Sequence, residues 1–167
     1  MSQARAVSPP EIEIKVYAQI GDLPVFSPDL EGPSLPRGVR HFIRAIADSD
    51  GLLISTPEYV RSIPGGMKNA IDWLVSGDQI VGKPIALVHA SHRGDDMLDV
   101  LRTVLSAISS NFNKELFLRF PVMKRTPEEI VQTLQEPANR SIAEAFLRNF
   151  STFCDQCRDE APNSIAV

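Results

Sequence analysis

Cysteine is nearly absent from this 167-residue chain: only Cys154 and Cys157 occur. A Cys-x-x-Cys pair acts as a redox dithiol when it opens a helix after a strand, and as half a zinc site when a second ligand pair exists. Neither condition is met, so the two thiols read as residents of a terminal helix with one face partly buried. A basic excess is missing too. Lys and Arg number 17 against 21 Asp and Glu, and the basic residues are scattered, so the electrostatic stripe of a nucleic-acid binder is not there. No apolar run approaches the roughly 20 residues of a membrane-spanning helix. Met1 to Pro10 lacks the hydrophobic centre of a signal peptide, and the expected location is the cytoplasm. Without repeats, low-complexity tracts or a second domain, residues 1–167 are expected to form one domain of ordinary globular composition.

What is present is an alternation of strand and helix patterns. Ile12, Ile14 and Val16 alternate with Glu11, Glu13 and Lys15, which predicts an edge-like strand over Glu11 to Tyr17. Gly21 to Pro36, rich in Gly, Pro and Asp, is a long connection expected to tuck Leu23, Val25 and Phe26 beneath it. Val39, Phe42, Ile43 and Ile46 recur at helical spacing, and Leu52-Leu53-Ile54 within Asp50 to Ser55 predicts a short buried strand. Met67, Ala70, Ile71 and Leu74 form the stripe of the next helix, whose start Pro64 and the glycines place just before Met67. Pro84 to Ala90 reads as a buried strand, Leu98, Leu101, Leu105 and Ile108 as a helix, and Leu116 to Phe120 as a short strand. Thr126-Pro127-Glu128-Glu129 opens a helix with Thr126 as N-cap, and Ile142, Ala145, Phe146, Phe150 and Phe153 mark a last one. This order predicts an α/β fold with a parallel sheet covered on both faces.

In such sheets the loops leaving the carboxyl ends of the strands form the ligand crevice. Two loops qualify, one after Ser55 and one over Ser91-His92-Arg93-Gly94-Asp95-Asp96. The first carries Thr56-Pro57-Glu58-Tyr59, then Ser62-Ile63-Pro64-Gly65, then Lys68-Asn69-Ala70-Ile71-Asp72-Trp73. At this spacing after a strand, those residues resemble the signature of the NAD(P)H-dependent FMN reductases, a flavodoxin-like family that includes quinone, azo-dye and chromate reductases. A weaker likeness runs from Gly21-Asp22-Leu23-Pro24-Val25-Phe26 through Gly82-Lys83-Pro84 and the Ser91 loop, so the resemblance covers roughly Glu11 to Phe120.

The resemblance implies a flavodoxin-like three-layer sandwich with a parallel sheet in the order 2-1-3-4-5 and FMN over the carboxyl ends of its strands. It implies NAD(P)H as co-substrate and a small-molecule electron acceptor: a quinone, a nitro or azo compound, or a metal oxyanion. A homodimer or homotetramer is implied as well. Pro57, Glu58, Tyr59 and Val60 would border the isoalloxazine chiefly through backbone groups, and Ser91, His92 and Gly94 would close the ring's other edge. The ring itself accepts and passes electrons, so no catalytic acid or base is expected.

Two departures from the family pattern stand out. Val60-Arg61 replaces the usual Asn after the tyrosine, which removes an amide able to hydrogen-bond the flavin or its phosphate. The larger departure is at the start. The family begins with a central strand, a loop like Gly-Ser-x-Arg-x-x-Ser-x-Asn and a helix, a unit that grips the FMN phosphate, whereas Met1 to Pro10 reads as the tail of that helix. One βα unit, roughly 25 residues by typical lengths, is expected to be missing, through a start assigned too far downstream or a real truncation. The strand at Glu11 would then lack the neighbour that bridges it to Asp50, leaving backbone groups unpaired at about 1–3 kcal/mol for each buried one. A rival reading follows: a truncated paralogue that binds no flavin and serves as an assembly or interaction module.

Several conspicuous residues also have plain structural readings. Asp72 is read as a structural group on the helix, Lys68 as one that steadies the helix in preference to approaching a phosphate, Trp73 as a core or interface aromatic, and His89 as a core histidine with a satisfied ring. Tyr59 carries more functional weight because it sits in the loop. Arg93 either meets the phosphate of NADPH or is solvated, and both readings stand.

Overall fold

The computed structural model describes Arg5 and residues 7–160. Most of the expected helix tail before residue 7 lies outside the described residues. Three strands form one parallel sheet in the order β1-β2-β3, where β1 is Leu52–Ile54, β2 is Ile85–His89 and β3 is Phe112–Arg119. Each strand is followed by a helical return, as parallel pairing requires. Among the described residues no helix is long and apolar enough to cross a membrane.

One face of the sheet is covered by α1 (Arg37–Ala47), α2 (Gly65–Asp72) and α3 (Asp95–Ile108). Val39, Phe42 and Ile46 of α1 recur every three to four residues and bury together with Ile71, Leu98, Leu101, Ile85 and Leu87. The other face takes α5 (Pro137–Glu160), whose Phe146, Leu147 and Phe150 pack on Ala86 with Leu53, Val88, Leu116 and Leu118 alongside. Even and odd strand positions therefore serve opposite layers, and β2, flanked on both edges and both faces, is nearly all buried. Before α5 comes α4 (Pro127–Gln135), which opens with the expected N-cap. Thr126 Oγ1 accepts from the Glu129 amide at 3.2 Å while the Glu129 carboxylate accepts from the Thr126 amide at 2.7 Å, a reciprocal capping box.

The expected strand over Glu11 to Tyr17 is not one. Its side chains do alternate, with Ile12, Ile14 and Val16 half-buried and Glu11, Glu13 and Lys15 exposed, but its backbone joins no ladder among the described residues. The physical reason is the lack of a neighbour: β1 spends one edge on β2, and no described strand lies at its other edge. Ile12 and Ile14 settle against the α5 layer, Tyr17 against His41 and Phe42 of α1, and Glu11 pairs with Arg148.

Gly21 to Pro36 is a long connection, built from three short 3-10 turns at Gln19–Asp22, Pro28–Leu30 and Gly32–Ser34. Leu23 is buried and Phe26 stacks edge-on against Trp73 at 5.0 Å, but Val25 points outward at 84% exposure, correcting the expectation that it tucks under. Strand β3 also starts four residues earlier than Leu116, at Phe112.

Candidate functional site

The two loops singled out by sequence leave neighbouring strands at the same edge of the sheet, as β1 and β2 are paired in parallel register. They are tied to each other through the start of α3. Gly94 is the N-cap of that helix and has no side chain to cap it, so the free amides of its first turn need another acceptor. The Glu58 carboxylate supplies it, reaching across from the first loop to accept from the Met97 amide at 3.2 Å. Three residues on, Arg61 Nε bonds Asp96 in the same turn at 2.6 Å, which raises the guanidinium pKa above its ordinary value.

Between these two anchors the chain turns tightly. Tyr59 and Ser62 exchange backbone hydrogen bonds, both at 3.0 Å, and the residues at the tip have left-handed backbone, with φ of 51° at Val60 and 59° at Arg61. That is the geometry of a type I′ turn, which favours Asn and Gly and strains a β-branched valine. Val60 is 98% exposed and Tyr59 62% exposed, so two apolar side chains face solvent between the polar ties on either side.

The second loop is shaped from below by His89. This buried ring sits at the end of β2, and its Nε2 meets the Arg93 carbonyl at 2.6 Å. Arg119 Nη2, from the end of β3, donates to the same carbonyl at 3.3 Å and to Asp95 at 2.7 Å. Gly94 is required twice over: its φ is +103°, and a Cβ there would lie 2.8 Å from His89 Nε2. Ser91 Oγ accepts from the Arg93 amide at 3.0 Å, closing a short turn that leaves His92 and Arg93 exposed.

The other conspicuous side chains have structural partners. Lys68 pairs with Asp72 one turn along α2. Trp73 is buried and donates from Nε1 to the Pro24 carbonyl at 2.8 Å. Cys154 is buried and Cys157 partly so, both free thiols on α5.

A flavin ring carries carbonyl and ring-nitrogen acceptors along its polar edge and an apolar face, so a seat for it needs fixed N–H donors beside an apolar surface. Among the described residues the amides of Glu58 and Val60, the chain neighbours of the exposed Tyr59, and of His92 in the second loop have no hydrogen-bond partner. That part of the crevice fits the ring. The sequence pointed to the loops but missed what holds them: Glu58 as the cap of α3, and the His89 and Arg119 clasp on Arg93. Glycine at position 94, three residues before a buried apolar stripe, was the one visible hint of a helix in want of a cap.

A parallel sheet between helical layers, with a crevice built from loops at its carboxyl edge, defines a flavodoxin-like α/β protein. The sequence description "NADPH-dependent FMN reductase" matches residues 2–117, and the chain belongs to that family. It is 36% identical over 91 residues to a quinone reductase of Escherichia coli (strain K12), an alignment covering 53% of this chain and 48% of the relative. It is 46% identical over 78 residues to a 2-hydroxy-1,4-benzoquinone reductase of Burkholderia sp, covering 45% and 42%. The chain thus spans about half the length of the curated relatives it matches. In architecture it is similar to FerB, a flavoenzyme NAD(P)H:(acceptor) oxidoreductase from Paracoccus denitrificans, with a TM-score of 0.62 at 23% identity over 94% of this chain and 86% of that one.

Proposed function

We propose that this chain seats a flavin between the Pro57 to Val60 loop and the Ser91 to Gly94 loop and serves as an NAD(P)H-dependent reductase of a small acceptor. A quinone is the first candidate, because the relatives described as quinone reductases align with it; nitro and azo compounds and metal oxyanions are the others. The observation that carries the reading is the clamp from Glu58 and Arg61 to the first turn of α3, which fixes two ligand loops against each other. When bound, the flavin takes a hydride from the nicotinamide and hands two electrons to the acceptor.

The chain's own part is to position. The amides of Glu58, Val60 and His92 orient the ring's polar edge, and Tyr59 with Val60 offers an apolar wall against which a planar acceptor stacks. The Glu58 carboxylate accepts from the Met97 amide, so its part is to hold the first loop against α3. Residence in the cytoplasm and assembly as a homodimer or homotetramer complete the reading.

The test is NADPH oxidation with added FMN and a benzoquinone, followed at the nicotinamide band. Turnover well above that of FMN and quinone without protein is the expected result, and a rate equal to that background sinks the reading. A second reading, an assembly module that binds no flavin, is favoured by the outer edge of β1, which pairs with nothing among the described residues. A purified protein that neither holds nor quenches flavin, yet elutes as a stable oligomer, would favour that module.

A further inference from the structure

We infer that His89 is a positioning residue for the flavin: by drawing the Arg93 carbonyl back toward the end of β2, it turns the Gly94 amide outward as a donor to the ring. The inference rests on the flavin reading above. His89 is buried at the last position of an otherwise apolar strand, where a valine or leucine would fill space with no polar ring to satisfy. The ring finds its partner in the second loop of the crevice and not in the core.

His89 Nε2 lies 2.6 Å from the Arg93 carbonyl oxygen. A carbonyl can only accept, so Nε2 carries the proton and donates. Arg119 Nη2 reaches the same oxygen from the end of β3 at 3.3 Å, while its Nε is buried with no partner among the described residues. The closer bond of Arg119 goes to Asp95, at 2.7 Å. The short His89 bond therefore sets where the Arg93 carbonyl points, and Arg119 supports it from the side.

In a trans peptide the C=O and the following N–H point in opposite directions within one plane, and the Arg93–Gly94 bond is trans. With the carbonyl drawn toward His89, the Gly94 N–H points away from the strand end, to the side on which the loops form the crevice. That amide has no hydrogen-bond partner among the described residues, although Gly94 is buried. Buried backbone donors are ordinarily paired, so this one waits for an acceptor that arrives with a ligand. The carbonyls and ring nitrogens of a flavin are such acceptors. Only glycine keeps the plane in this setting, since its φ is +103° and a Cβ would meet the His89 ring.

The experiment is a titration of the nitrogen-15-labelled protein with FMN, read both by quenching of flavin fluorescence and by the Gly94 amide signal in nuclear magnetic resonance. In the unaltered protein the Gly94 amide proton is expected to move downfield as FMN binds. His89→Leu, which removes the donor, should bind FMN about tenfold more weakly, and His89→Gln, whose side-chain amide can donate to the same carbonyl, should recover affinity to within about threefold. FMN bound by His89→Leu as tightly as by the unaltered protein, or no recovery in His89→Gln, overturns the inference and leaves the flavin reading standing. So does a Gly94 amide that stays in place while flavin fluorescence is quenched. Should far-ultraviolet circular dichroism show His89→Leu unfolded, the Gly94 amide of the unaltered protein and the affinity of His89→Gln decide alone. Failure of the folded, unaltered protein to quench FMN overturns both readings.

Discussion

Asn69 and Trp73, one turn apart on α2, converge on a single atom: Asn69 Nδ2 and Trp73 Nε1 both donate to the Pro24 carbonyl, at 3.0 and 2.8 Å. Asn69 also accepts from the Phe26 amide at 2.8 Å, so its two-sided amide clips the 23–26 segment to α2 on both strand-like polarities. These two members of the Lys-Asn-Ala-Ile-Asp-Trp run are therefore scaffold. They fix the long connection from which α1 departs, while the crevice is built by the residues before them.

Asn69→Ala would leave the Phe26 amide without its acceptor in a half-buried setting. The expected loss of unfolding free energy is about 1–3 kcal/mol, measured by urea denaturation. An unchanged midpoint would mean that water replaces the clip.

Val60→Asn is expected to stabilise the protein by about 1 kcal/mol, because asparagine tolerates the left-handed backbone that costs an ordinary residue roughly 1–2 kcal/mol. Val60 is 98% exposed, so the exchange removes no packing. A lower melting temperature in the variant would show that the turn changes its backbone when the valine leaves.

Gly94→Ala combines a strained φ of +103° with a Cβ placed 2.8 Å from His89 Nε2. A loss of about 2 kcal/mol or more is expected, together with a shifted His89 ring signal in nuclear magnetic resonance. Gly21→Ala, where nothing lies within 4 Å of the added carbon, is the control. Equal stability of the two variants would contradict the clasp.

Burial, reinforced by the Asp50 charge, raises the Cys154 thiol pKa to about 11 from an ordinary 9.0. The folded state thus holds its proton where the unfolded state has lost it. Stability conferred by the neutral thiol is complete below about pH 9 and is lost as pH rises toward about 11, a fall of about 2 kcal/mol. Denaturation curves across that range should show the decline, and Cys154→Ala should flatten it. At pH 8 the native Cys154 should also resist alkylation while the partly exposed Cys157 reacts.

Much of the scaffold was legible because burial writes a period into the chain. The continuous Ile85 to Leu87 run belongs to a strand buried on both faces, Leu52 to Ile54 to an edge strand that is only half-buried, and Val39, Phe42 and Ile46 spell one side of a helix. Thr126 with Glu129 is a local signal for a local structure. Glu11 to Tyr17 misled for the converse reason: alternation reports which side chains face the core, and a ladder needs a neighbour that no pattern within the segment can supply. At the crevice the loops were legible from their place after strands. The roles of Glu58 and Arg119 were not, since each acts on a partner brought close only by the fold, 39 residues away for Glu58 and 26 for Arg119; His89 meets Arg93 only four residues on, but through a loop shape that its apolar strand setting did not announce. The left-handed turn was masked by its own sequence, because Val60-Arg61 carries neither the Asn nor the Gly that announces one.

Among the described residues the sheet contains no hairpin. Leu52 meets Ile85 and Ile85 meets Phe112, so every strand pairing closes a loop that must first wind through a helix. Such a chain reaches its native state by long-range closures whose entropy is lost before the contacts reward it. The connections through α2 and α3 are thus what bring the strand ends, and with them both loops of the crevice, side by side.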